Sequence, residues 1–256
     1  MSGSWPIIAS IDSAPLPPAC WAGGRNVRNG WKADTRLTTL VAMPGDHDRL
    51  IADAAKGALQ PLGFRRKGQS RLWIQDHRWW LLVVEFQPSG FRKGSYLNVA
   101  AHWLWSDGGY ISFDLGGGAD WGSRVAEFEE YNSNEGFEAA ASRLATTAAQ
   151  EAQQLAQRLP SINVTADLLL RREADLPEQS KGSWSTFHAG IAAGLAGRPH
   201  EADAILRSIT DDRVKGAAER FVEVLSDPSR FKATAASLIA NQRQALRLPE
   251  VTAALF

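Results

Sequence analysis

The chain has 256 residues, 44% of them hydrophobic and 22% charged, with 28 basic residues balancing 28 acidic ones. That length can bury a core needing no cross-links, and zero net charge excludes binding to nucleic acid by overall charge. A single cysteine, Cys20, excludes a disulfide framework and a thiolate metal site, and no apolar run reaches the roughly 18 residues of a membrane span.

Residues 1–42 mix Ser, Pro, Gly and Asn with isolated tryptophans (Trp5, Trp21, Trp31) and sustain neither a helical nor a strand period. Pro15–Cys20, PLPPAC, blocks both helix and central strand. There is no basic head followed by an apolar stretch and a cleavage site, so a cytoplasmic protein is expected. Residues 1–42 are read as a disordered tail or an extension outside the functional protein, with Met43 as the natural start. Gly23–Leu37 resembles the in-frame translation of a non-coding genomic repeat.

From Asp46 the pattern is helical. Leu50, Ile51, Ala54, Ala55, Ala58 and Leu59 form one apolar stripe, with Asp46 as a cap and Pro61 as a stop. Four strands are expected next: Ser70–Gln75, Arg78–Gln87, Ser95–Trp105 and Tyr110–Leu115. Asp107-Gly108-Gly109 is a hairpin signal between the last two. On the third strand Leu97, Val99, Ala101, Trp103 and Trp105 share one face; Tyr96, Asn98, Ala100, His102 and Leu104 share the other. One face is therefore expected under helices and one partly polar. Val125–Tyr131 is read as an acidic turn or lid.

A long helix is expected from Asn134 to Pro160, with Phe137, Ala141, Leu144, Ala148, Ala152, Leu155 and Leu159 on its inner face. Everything after Ile162 reads as short helices punctuated by Pro177, Gly197, Pro199 and Pro228. Ala189–Leu206 is similar to one tetratricopeptide hairpin, but a single unit predicts a bundle and not a solenoid. The expectation is an α+β domain over about 43–161, built on a curved antiparallel sheet, followed by a helical region over 162–256.

Leu62-Gly63-Phe64, Trp73, Gln87 with Ser89, and Asn98 carry a resemblance to an uncharacterised bacterial domain-of-unknown-function family, over about residues 46–159. The resemblance implies an α+β fold and no assigned activity.

Charge is unevenly distributed. Arg65, Arg66, Lys67, Arg71, Arg78, Arg92 and Lys93 crowd the sheet region, and the next stretch is acidic from Asp107 to Glu138. No HxxxH, CxxC, GxSxG or GxxxxGK[ST] pattern occurs, so no metal or cofactor is expected. His102 with Asp114 or Glu85 has the residue types of a base and its orienter, though a half-buried structural histidine is the favoured reading. Arg65, Arg66, Lys67, Arg71 and Arg92 beside Trp73 have the composition of a stacking groove for single-stranded nucleic acid, against which stands the expectation that most tryptophans are core. Glu127, Glu129 and Glu130 form an acidic flank suited to a basic protein partner such as a toxin nuclease, with Asn98 and His102 on the adjoining polar face. The favoured reading is a non-enzymatic protein-binding module, immunity- or adaptor-like. The alternative is a nucleic-acid-binding or processing module.

Overall fold

The structure, a computed structural model, describes residues 45–106, 108–118 and 120–256. The expectations for residues 1–42 and for Asp107 lie outside these. Among the described residues the fold is α+β: an open, antiparallel six-stranded sheet with seven α-helices.

Helix α1 (Asp46–Leu59) buries Ile51, Ala55 and Leu59. Its cap is Gly45 and not Asp46: the Gly45 amide donates to Asp48 Oδ2 at 3.1 Å, placing the carboxylates of Asp46 and Asp48 in the first turn, at the positive end of the helix dipole. Pro61 stops the α-helix in a 3-10 turn, Gln60–Leu62, and Gly63 at φ 85° turns the chain into the sheet.

The strands are β1 (Arg65–Arg66), β2 (Leu72–Asp76), β3 (Trp80–Gln87), β4 (Gly94–Trp103), β5 (Leu115–Gly116) and β6 (Arg124–Glu130). β1 to β4 pair in sequence order; β5 and β6 both lie along the far side of β4. β3 and β4 pair in register, Leu82 opposite Ala101 and Glu85 opposite Asn98. Their apolar residues are buried on both faces, which is why Trp80–Val84 shows no alternation.

Two expectations are corrected here. Tyr110–Asp114 is not a strand: of the stretch after β4, Leu115–Gly116 pairs with it, and before that the Asp114 N–H donates to Ala101 O at 2.9 Å while its side chain bonds Trp103 and His102. The acidic turn at Val125–Tyr131 is instead strand β6. Its register on β4 shifts twice, between Ser95 and Leu97 and between Leu97 and Asn98, and these bulges erase the alternation by which a strand is recognised. Gly116 lies against the loop before β6, where a Cβ would collide with the Gly122 carbonyl. Gly116→Ala is therefore expected to lower the melting temperature, measured by circular dichroism, by several degrees at least.

Helix α2 (Asn134–Arg158), capped by Ser133, runs against β3, β4 and β6, and α1 packs on it. Ser161 caps α3 (Ile162–Asp175). Then follow α4 (Trp184–Leu195), α5 (Pro199–Arg207), α6 (Asp212–Val222), capped by Asp211, and α7 (Pro228–Ala245), capped by Asp227. α4 is the hub of the helical part, touching α3, α5, α6 and α7, and it is buried from Thr186 to Ala193. Gly190 and Gly194 permit this by letting Leu206 and the Phe231 ring sit against its backbone. One contiguous core runs from Ile51 to Leu246.

Candidate functional site

The polar face of β4 is covered at one end and open at the other. At the covered end lies a buried polar network. His102 is 1% exposed at its side chain and Asp114 9%. Asp114 Oδ2 accepts the Trp103 backbone N–H at 2.8 Å and lies 3.2 Å from His102 Nδ1. Asp114 Oδ1 is 3.7 Å from Nε2 of His188 on α4, whose Nδ1 accepts the Trp105 indole N–H at 3.1 Å. On the far side of His102, Gln242 of α7 closes the network. Its Oε1 accepts the Gly109 N–H at 2.9 Å, so its Nε2 is the atom that donates to Tyr110 O at 2.9 Å and faces His102 Nε2 at 3.3 Å. Next to this network Trp79, Trp103 and Trp105 stack with ring centroids 5.3 to 5.8 Å apart.

Hydrogen bonding assigns the His188 tautomer. Trp105 donates to His188 Nδ1, so the His188 proton is on Nε2, towards Asp114. At His102 the Gln242 amide faces Nε2 at 3.3 Å, while Nδ1 receives the Ser112 backbone N–H at 3.3 Å and lies 2.9 Å from Ser112 Oγ and 3.2 Å from Asp114 Oδ2. Burial opposes ionisation of Asp114, but the two imidazoles, His188 foremost, outweigh it and hold the carboxyl well below the usual carboxylate range.

This geometry does not make a catalytic relay. A serine–histidine–carboxylate relay puts hydroxyl and carboxylate on opposite ring nitrogens. Here Ser112 and Asp114 share Nδ1, and Nε2, the nitrogen that would take the hydroxyl proton, is held by Gln242. Glu85, the other orienter considered, instead bonds Asn98. His102 thus links the sheet to α7 through Gln242, and Asp114 links it to α4 through His188. Among the described residues, no group of three His, Cys, Asp or Glu side chains is arranged to hold a metal ion, and no helix is long and apolar enough to cross a membrane.

At the open end, a polar ladder crosses β3, β4 and β6. Asn98 Nδ2 donates to Glu85 Oε2 and Gln87 Oε1, both at 2.9 Å, and Arg124 Nε donates to Asn98 Oδ1 at 2.9 Å. Asn98 is 3% exposed, so it organises this face without presenting itself to a ligand. The surface above is aromatic and cationic. Tyr96 and Phe128 are 4.8 Å apart, Arg124 lies 3.9 Å over the Tyr96 ring, and Arg92 lies 4.7 Å over Phe128. Arg92 also pairs with Glu130 at 3.5 Å, and Glu129 with Arg143 of α2 at 3.3 Å. Glu127 is exposed and makes no ion pair among the described residues.

The basic residues expected to act together are separated. Arg65 and Arg66 are exposed on edge strand β1, with Lys67 just beyond. Arg71 is committed to Asp48, its Nε donating at 2.6 Å, and to the Gly94 carbonyl at 3.0 Å. Arg92 sits at the other end of the molecule's strand order, beside β6. Trp73 is 4% exposed and belongs to the core, so it cannot stack on a base; burial of its large apolar surface decided its position.

No protein-family model, curated protein or solved structure matches this chain.

The sequence reading passed over Phe91. It is 100% exposed at the tip of the β3–β4 hairpin, where Ser89 Oγ accepts the Phe91 and Arg92 amides and shapes the turn. The available signal was an aromatic residue inside a turn of Pro, Ser, Gly and Lys, where no core position exists.

Proposed function

We propose that this protein is a non-enzymatic binding module that engages a protein partner through the open end of its sheet face and the acidic margin beside it. The observation that carries this reading is Phe91, fully exposed on a turn and followed by Arg92, which lies over Phe128 of the Tyr96–Phe128 pair. A lone surface phenylalanine needs no explanation. One that heads a patch of Tyr, Phe and Arg has the composition of an interface centre, where a large ring seats in a partner's pocket and arginine stacks at its border. Glu127 and Glu130 rim the patch and favour a partner with a basic border around an apolar socket. The closed His102 network supports binding over catalysis, since its polar groups serve one another.

The test is capture of a partner from host lysate by the immobilised full chain, with nuclease present, followed by affinity measurement on the purified pair. Phe91→Ala is expected to weaken binding by about 2 kcal/mol, roughly thirtyfold in Kd, and Glu127→Lys with Glu130→Lys to slow association. A partner whose affinity is untouched by all three substitutions, or material retained only until nuclease is added, overturns the reading.

A further inference from the structure

At the opposite edge of the sheet, β1 meets the C-terminal end of α7. A cleft of about 440 Å³ lies between them, a volume suited to a small ligand. Arg65, Arg66, Lys67 and Arg247 line it, and no carboxylate does. Arg66 has a structural task, its guanidinium donating to the Ser70 and Gln69 carbonyls at 2.6 and 2.8 Å. The side chains of Arg65, Lys67 and Arg247 make no hydrogen bond or ion pair among the described residues. Asp76, the carboxylate that feels Arg65, is held bidentately by Arg243 at 2.9 and 2.7 Å. Like charges are therefore gathered in a cleft lined by no carboxylate: Asp76 is taken by Arg243, and Asp53 and Glu250 line the adjoining clefts. Burial, and then the neighbouring Arg65, pull the Lys67 ammonium below its usual range.

Arg247 adds an independent sign. It stands at φ 55°, in the left-handed turn that closes α7, with Leu248 N–H bonded to Arg243 O at 2.9 Å and Arg247 N–H to Gln244 O at 3.0 Å. Glycine is the usual residue at this helix end, and a side chain there costs about 1 kcal/mol. An unbonded arginine gives the fold nothing to offset that strain. The helix dipole favours cations at this end, but these side chains do not bond the terminal carbonyls, and those of Arg243 and Gln244 are already satisfied by the turn.

We infer that this cleft binds a multiply charged phosphoryl group carried by a small molecule. Arginine forks match phosphate oxygens, and three uncommitted cations need more than the single charge of a carboxylate to balance them. No aromatic side chain lines the cleft, so a nucleobase has no ring to stack on, which favours a small polyphosphate over a single strand of nucleic acid.

The experiment is isothermal titration of the full chain with inorganic tripolyphosphate at low salt, alongside an oligothymidylate of similar charge. The expected result is saturable 1:1 binding below millimolar Kd, weakened at least tenfold by Arg247→Gly and abolished by Arg65→Glu with Lys67→Glu. Arg247→Gly relieves the backbone strain, so its melting temperature should equal or exceed that of the parent chain, separating loss of binding from loss of fold. Absence of saturable binding, or binding indifferent to these variants, overturns the inference. An oligothymidylate that binds more tightly than tripolyphosphate at the same residues overturns it in favour of nucleic acid. None of these outcomes bears on Phe91, which belongs to the other margin of the sheet.

Discussion

Asp114→Ala is expected to destabilise the protein by about 3–5 kcal/mol, read from denaturant unfolding followed by tryptophan fluorescence. The carboxylate meets three groups, the Trp103 amide, His102 and His188, and Ser112 joins them through His102 Nδ1. Removing it strands a buried amide and leaves two imidazoles facing a void. Asp114→Asn keeps the shape and separates charge from packing. The folded-state pKa of Asp114 is depressed, so its ionic contribution is fully present above the unfolded value of about 4 and is lost as pH falls below it. Stability of the parent chain should therefore decline steadily from about pH 4 downwards, and Asp114→Asn should show a shallower decline. Asp76, also depressed despite burial because Arg243 bonds it, supplies the slope that remains. Identical acid profiles for the two proteins would disprove the role given to this carboxylate.

Arg243→Met is the second large effect, about 3 kcal/mol. Arg243 is 7% exposed at its side chain and joins three parts of the chain: Asp76 at the end of β2, the Arg78 carbonyl at 2.7 Å, and the Pro249 carbonyl at 2.6 Å. The methionine fills similar volume, so the loss reports the stranded carboxylate and carbonyls rather than a cavity. Adding Asp76→Asn should restore part of the loss, because the partner left behind no longer carries a charge. A double variant that is no more stable than Arg243→Met alone would show that the pair itself is not what holds α7 to β2.

Wherever local chemistry set the structure, the sequence was legible. Pro199, Pro228 and Gly197 bound the helices they punctuate, and Phe137, Ala141, Leu144, Ala148, Ala152, Leu155 and Leu159, spaced as one helix face, are all buried. Where long-range pairing set it, the sequence was opaque. β6 is acidic and twice bulged on β4, so its residues read as a turn. Tyr110–Asp114 alternates as a strand should, yet it meets β4 only at its end, where the Asp114 N–H donates to Ala101 O. The candidate site suffered the same way. His102, Asn98 and Trp73 have reactive or sticky side chains, but only tertiary packing reveals that they are buried. Phe91 was marked only by the turn residues around it, and Arg247 was inconspicuous because its significance is a backbone angle, which has no compositional mark.

The bond from Gln242 to His102 spans 140 residues. At about 5–20 residues per second, a ribosome delivers His102 roughly 7 to 28 s before the glutamine that covers it. Throughout that interval β3 and β4 can pair while one end of their polar face waits, wet and uncovered, for a helix still to be made. The covered end of the sheet face is therefore completed by one of the last helices of the chain to be made.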